Sequence, residues 1–204
     1  VRDEDEHGEA VTGITFEHLK QCLAIHSPQR IAQPRGWSAA VALILVQSGG
    51  REGPELLLIK RSENPGDPWS GQMALPGGRW EPGDRDLWST AVRETKEEVG
   101  LDLAAAQFLG ELDDLKPKTR TLPQLVVRPF VFGLTSKPDL VPSGEVALCV
   151  WVPLGELLAE GSRREVEIVT LGRSFPAYLV GGGYPVWGMT ERILSRFLEL
   201  VRQS

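Results

Sequence analysis

The sequence has 204 residues, 41% of them hydrophobic, with 22 Lys and Arg against 28 Asp and Glu for a formal net charge of -6. That length suits one substantial core, and the acidic balance argues against broad nucleic-acid binding, which draws on clustered cations. It leaves room for a small anionic ligand, because one local cation or a metal can dominate a site.

Residues 1–12 read as a solvated acidic tail, too polar to offset the entropy of ordering. They lack the apolar stretch of a signal peptide, and no run of about 18 apolar residues follows anywhere. A cytoplasmic protein without a membrane partner is therefore expected. A short amphipathic helix is predicted over Phe16–Ile25, before the prolines of "SPQRIAQPRG" break regular structure. The apolar runs Trp37–Gln47 and Glu55–Arg61, joined by the turn-rich "SGGREGP", predict two strands and a hairpin-like connection. "SENPGDPWSGQ" is loop by composition, and "MALPGG" predicts a short strand ending in a glycine pair.

From Asp84 the pattern becomes helical. Asp84 or Asp86 can cap the start, Trp88, Val92, Thr95 and Val99 recur at helical spacing, and Gly100 can close the end. Beyond it, "QFLGEL", "QLVVRPFVFGL", "EVALCVWVPL" and "REVEIVTL" read as strands, and "MTERILSRFLELVR" as a terminal amphipathic helix with Ile193, Leu194, Phe197, Leu198 and Val201 inward. Strands outnumber helices and no repeat is visible. One α+β domain with a mixed sheet is expected. Cys22 and Cys149 stand in no metal-ligand spacing and read as buried thiols in a reducing compartment.

The helix carries the chemistry. At 100° per residue Glu94, Glu97 and Glu98 fall within an arc of about 100° beside the apolar stripe. Three carboxylates on one face repel one another, but they become favourable around a hard divalent cation, which takes oxygen ligands and shares them with substrate phosphates. Ahead of them "PGGRWEPGD" supplies glycines for close backbone approach, and Arg93 can reach back to an acidic loop residue.

This stretch, "GGRWEPGDRDLWSTAVRETKEEVGL", resembles the signature of the Nudix hydrolases. Gly78 opens it, Arg93-Glu94 and Glu97-Glu98 form its charged core, and Gly100-Leu101 close it. It departs from the family pattern in a loop one residue longer, in Asp84 as the loop acid, and in Thr95 at a usually aliphatic place. Arg61-Ser62, Gly71-Gln72 and "MALPGG" resemble the coenzyme A diphosphatase-like subgroup, as does the Trp-Gly before the last helix. Trp69 stands near the place of that subgroup's histidine.

The resemblance implies a mixed β-sheet sandwiched between α-helices in a single domain, with residues 1–33 as tail and short helix, 34–204 as the Nudix domain and 78–101 as its signature. It implies Mg²⁺ or Mn²⁺ on Glu94, Glu97 and Glu98, bridging the diphosphate of a small nucleoside diphosphate derivative, with water attacking phosphorus. Coenzyme A or an acyl-coenzyme A is the first candidate. ADP-ribose, dinucleotides, nucleoside triphosphates and a non-catalytic nucleotide-binding role are the alternatives. Glu98 is the first choice for general base and Glu145 the second, while Arg93 orients Glu94 or pairs with Asp84. The backbone at Gly77 or Gly78 offers a further ligand; Lys60 or Arg61 contacts phosphate, and Trp69 stacks on a base or closes the pocket. Lys116, Lys118 and Arg120 lie on a loop read as solvated. His7, His18 and His26 lie outside the motif and are expected at the surface. Many family members are dimers, which leaves a homodimer open.

Overall fold

The structure is a computed structural model that describes residues 13–32, 38–47, 53–118 and 125–203. The acidic tail, His7 and Arg120 lie outside the described residues. Strand β1 (Ser38–Val46) is apolar at nearly every position because both of its faces are covered. Ala40, Ala42 and Ile44 face one core, and Ala39, Leu43 and Leu45 face the other, so the two-residue alternation of a strand divides a single run between two layers.

Strand β2 (Glu55–Arg61) joins β1 antiparallel only where Leu45 meets Leu56 and Val46 meets Glu55. The two strands then part. Strand β3 (Met73–Ala74) pairs with β2, and β4 (Gly77–Arg79) pairs with β1, so the one short strand expected over "MALPGG" is two, on either side of a splay. Helix α1 (Phe16–Ile25), helix α2 (Leu87–Val99) and strand β5 (Gln107–Glu111) follow the predicted boundaries closely. Strand β6 (Val126–Leu134) runs parallel to β1, from Ser38 opposite Val126 to Val46 opposite Leu134. Parallel neighbours need a crossover, and α2 lies within it. Strand β7 (Val146–Pro153) returns antiparallel on β2, completing a seven-stranded mixed sheet.

Helix α2 packs on one face of this sheet through Ala91 and Val99. On the other face lie α1, the short helix α3 (Leu154–Leu158) and helix α4 (Gly188–Arg202). Ile193, Leu194, Phe197, Leu198 and Val201 of α4 are all buried, each contributing roughly 1.5–3 kcal/mol if fully transferred from water. The α+β class, with a mixed sheet sandwiched between helices, holds. Strand β8 (Arg163–Ile168) belongs to a second, three-stranded antiparallel sheet with β9 (Arg173–Val180) and β10 (Tyr184–Trp187), whose last strand leads into α4. Among the described residues no helix is long and apolar enough to cross a membrane.

Candidate active site

Asp86 caps α2, its carboxylate accepting from the Ser89 N–H, and Gly100 ends the helix at φ 72° with its N–H on the Lys96 carbonyl. Asp84, the other candidate cap, has a different partner. Arg93 grips it as a fork, Nε on Oδ1 and Nη2 on Oδ2, both at 2.9 Å. The Glu81 N–H and the Thr90 hydroxyl add to Asp84 Oδ2 at 3.0 and 2.9 Å. The Arg93 guanidinium is the main reason that the Asp84 carboxyl is held down to about 2. Its Nη1 also donates to Glu94 Oε1 and Glu97 Oε2, each at 2.9 Å, and Nη2 donates to the Arg79 carbonyl at 3.0 Å. Arg93 thus ties the loop before α2 to two of the three glutamates.

The third, Glu98, is only 3% exposed. Its Oε2 accepts the Gly77 N–H at 2.8 Å, and Arg61 Nη1 stands 3.6 Å from Oε1. Burial pushes the Glu98 carboxyl up to about 7; the Gly77 N–H and Arg61 oppose this, and the charges of Glu94 and Glu145 add to it. Glu94 is also pushed up, by burial first, against the pull of Arg93. The glycine pair fits around these groups. At Gly77, with φ 146°, a Cβ would come within 2.2 Å of the Ala40 carbonyl oxygen. At Gly78 a Cβ would lie 2.4–2.6 Å from the Glu94 carboxylate atoms.

These residues open on a cavity of about 380 Å³ at the splay between β1 and β2. Glu94, Glu98, Glu145, Arg61, Gly77 and Gly78 line it together with Asp67 and Arg79, and Trp69 joins them from the loop before β3. Seven of the residues singled out in the sequence therefore meet at one cavity. Glu97, Arg93 and Lys60 are not part of its lining. The Glu97 side chain is 58% exposed and directed at Arg93, and the Lys60 ammonium sits 5.3 Å from the centre of the Tyr184 ring. Lys116 and Lys118 also stand outside the lining, and His26 is half-buried against Asp113, 3.0 Å away, rather than at the surface.

Asp67, Trp187 and Met189 are among the lining residues not named as candidates from the sequence. Asp67 Oδ2 accepts from Arg61 Nε and Nη2 at 3.0 and 2.8 Å, while its Oδ1 accepts the Trp69 N–H at 2.9 Å. Trp187 and Met189 reach the same cavity from β10 and α4. The only sequence signal for Asp67 is its nearness to Arg61, and for the other two it is the Trp-Gly before the last helix.

The donor set suits a hard cation, since Glu94 and Glu98 present carboxylate oxygens on the lining of the same cavity. Among the described residues no three His, Cys, Asp or Glu side chains already form a metal-binding group, consistent with Glu97 being engaged by Arg93.

Residues 36–171 match the NUDIX domain family. The chain belongs to the Nudix family. Nudix hydrolase 15, mitochondrial, of Arabidopsis thaliana is 30% identical over 202 residues, covering 95% of this chain and 67% of that protein. An uncharacterized protein of Schizosaccharomyces pombe is 34% identical over 165 residues, 77% of this chain and 48% of its own length, so the chain spans about half of that relative. Among solved structures, a Caenorhabditis elegans Ap4A hydrolase binary complex superposes with a TM-score of 0.50 at 25% identity, over 60% of this chain and 84% of that one. The Nudix match contains the whole signature and ends before β9, β10 and α4.

Proposed function

We propose that this Nudix chain hydrolyses the diphosphate linkage of a nucleoside diphosphate derivative in a reaction that needs Mg²⁺ or Mn²⁺, with coenzyme A or an acyl-coenzyme A as first candidate. The observation that carries the reading is Glu98, buried at 3% exposure on the wall of a cavity that Glu94 also lines, and oriented by the Gly77 N–H. A carboxylate fixed in this way is placed to accept a proton from a water beside the diphosphate.

Glu94 and Glu98 would hold the metal, with Glu97 joining them if it leaves Arg93. When bound, the ion supplies neutralising charge at phosphoryl oxygens and acidifies the attacking water. Glu98 takes the proton from that water, and Glu145, on the same lining, is the second choice. Arg61 faces the diphosphate as a cation held in place by Asp67. Gly77 and Gly78 let backbone and phosphate come close, Trp69 closes the pocket, and Arg93 positions the glutamates. Lys60, turned to Tyr184, would reach phosphate only by leaving that ring. Residues 34–204 constitute the Nudix domain of this reading, with α1 packed onto it, and the location is cytoplasmic.

Likeness to an Ap4A hydrolase supports dinucleotides as the second substrate class. Product analysis by mass spectrometry, with Mg²⁺ or Mn²⁺ and a panel of coenzyme A, acyl-coenzyme A, ADP-ribose, Ap4A and nucleoside triphosphates, tests the reading. Turnover of coenzyme A to two phosphate-ended products is expected. No hydrolysis of any member overturns the enzyme assignment, and hydrolysis of Ap4A alone moves the substrate to the second class. Cell fractionation tests the location, for which the mitochondrial name of the Arabidopsis relative is the competing outcome.

A further inference from the structure

The cavity that presents Glu94 and Glu98 has a second lining of a different character. Leu125 just before β6, Val127 in β6, Trp187 from β10, and Met189 and Ile193 from α4 face it together with Trp69. Leu125, Val127 and Ile193 are 8%, 4% and 2% exposed, so they form a fixed wall rather than a loose surface. Neutral polar side chains are scarce on the lining. Gln72 is one, its amide already donating to the Pro68 carbonyl, and Thr190 is another. Trp187, Met189 and Ile193 come from beyond residue 171, where the match to the Nudix family ends. The shared part of the fold thus supplies the carboxylates with Trp69, Leu125 and Val127, and the C-terminal part of this chain adds Trp187, Met189 and Ile193 to the apolar wall.

We propose that this wall receives the aliphatic groups of the non-nucleoside arm attached to the diphosphate, and that the nucleoside base stays outside the cavity. The proposal rests on the diphosphate-hydrolase reading above and names which part of the substrate enters. The edge of a purine carries several donors and acceptors, which lose water on entry and find few partners on this wall. Methylene groups need no partners and gain from every contact. Met189 suits such an occupant because its unbranched, polarizable side chain adapts to irregular apolar shapes. Size argues the same way. At about 380 Å³ the cavity lies near the lower end of the ~300–1,000 Å³ typical of ligand pockets, enough for phosphate groups and one narrow substituent but not for two bulky ones.

Binding of n-alkyl phosphates from ethyl to octyl, and of AMP, to the full chain in Mg²⁺ by calorimetry tests this. These monoesters contain no diphosphate bond, so binding is read without turnover. Affinity is expected to rise about fourfold per methylene, the ~0.8 kcal/mol of a buried CH₂, until the cavity is filled. AMP is expected to bind no more tightly than the shorter esters. Met189→Gln should flatten the dependence on chain length, and Met189→Leu should restore it. Affinity independent of chain length, AMP binding above octyl phosphate, or a slope unchanged in Met189→Gln would each overturn the proposal. A chain-length slope without hydrolysis of any diphosphate would sink the enzyme reading alone, and hydrolysis without a slope would sink this inference alone.

Discussion

Arg93 and Asp84 share two parallel hydrogen bonds, Nε to Oδ1 and Nη2 to Oδ2, each 2.9 Å long. The same guanidinium donates to Glu94 and Glu97, so it ties the loop before α2 to the glutamates on the helix. Lysine keeps the charge but lacks the fork. Arg93→Lys is expected to lower the unfolding free energy in urea by about 2–4 kcal/mol, the scale for breaking a partly buried pair. The Asp84 contribution should be complete above the ordinary aspartate value and lost as pH falls through about 2. A melt unchanged in Arg93→Lys would mean that the fork carries no stability.

The two adjacent glycines should respond differently to alanine. At Gly77 the added Cβ meets backbone, the Ala40 carbonyl oxygen at 2.2 Å, and φ is 146°. Gly77→Ala is therefore expected to cost about 3 kcal/mol or more from strain and overlap. At Gly78 the atoms nearest the Cβ are those of the Glu94 carboxylate, the far end of a flexible side chain that can yield by giving up its Arg93 contact. Gly78→Ala should stay within about 1 kcal/mol of the parent in thermal melts while Mn²⁺ affinity, read by titration, falls at least tenfold. Equal stability of the two variants would contradict this division.

Much of the site was legible because its contacts are local. The caps, the apolar stripe and the Arg93 pairing with Asp84 all lie within one stretch of chain, the helix and the loop just before it. Spacing also put Glu94, Glu97 and Glu98 on one face, but it could not say that Arg93 would draw Glu97 outward while packing drew Glu98 in. The second sheet was not legible beyond β8. Proline and runs of glycine ordinarily interrupt a strand, yet Pro176 sits in register opposite Glu165 and Gly181 to Gly183 turn β9 into β10. With β10 unseen, Trp187 and Met189 had no place at a cavity built from residues about a hundred positions earlier.

The metal-free protein should lose stability as pH rises from about 4.5 to 7. The unfolded chain releases the Glu98 proton near 4.5, whereas the native state keeps it to about 7, so over that interval the native state binds more protons. The shift corresponds to at most about 3 kcal/mol. Glu98→Gln removes the titration, and its urea stability relative to the parent should increase across this window and then level off. The same variant should lose turnover by about 10²–10⁴-fold if Glu98 is the general base. Parallel pH profiles for parent and variant would show that Glu98 titrates normally.

Thr95 occupies a slot that an aliphatic residue usually fills, and the structure shows what this costs. It is fully buried, and its Oγ1 has no hydrogen-bond partner among the described residues. Valine matches its shape and branching without the polar atom. Thr95→Val is expected to stabilise the protein by about 1 kcal/mol, the lower part of the range for an unpaired buried group. A loss of stability in thermal or urea unfolding would mean that the hydroxyl has a partner after all.

Asp67 links a cation to an aromatic group at the cavity. One of its oxygens takes both Arg61 donors and the other takes the Trp69 N–H, so a single carboxylate sets the Arg61 guanidinium and the loop that carries Trp69. Hydrogen bonds to charged groups contribute about 1.5–3 kcal/mol, and the partial exposure of both side chains, 16% and 27%, lowers that figure. Asp67→Ala is expected to raise KM for a diphosphate substrate about tenfold, with a smaller change in kcat. A double-mutant cycle separates the two arms. If Asp67 acts through Arg61, its removal changes little once Arg61→Ala is present; if it acts through the Trp69 loop, the two losses add. Asp67→Asn should fall between, because the amide oxygen can still accept one hydrogen bond while the charge facing Arg61 is gone.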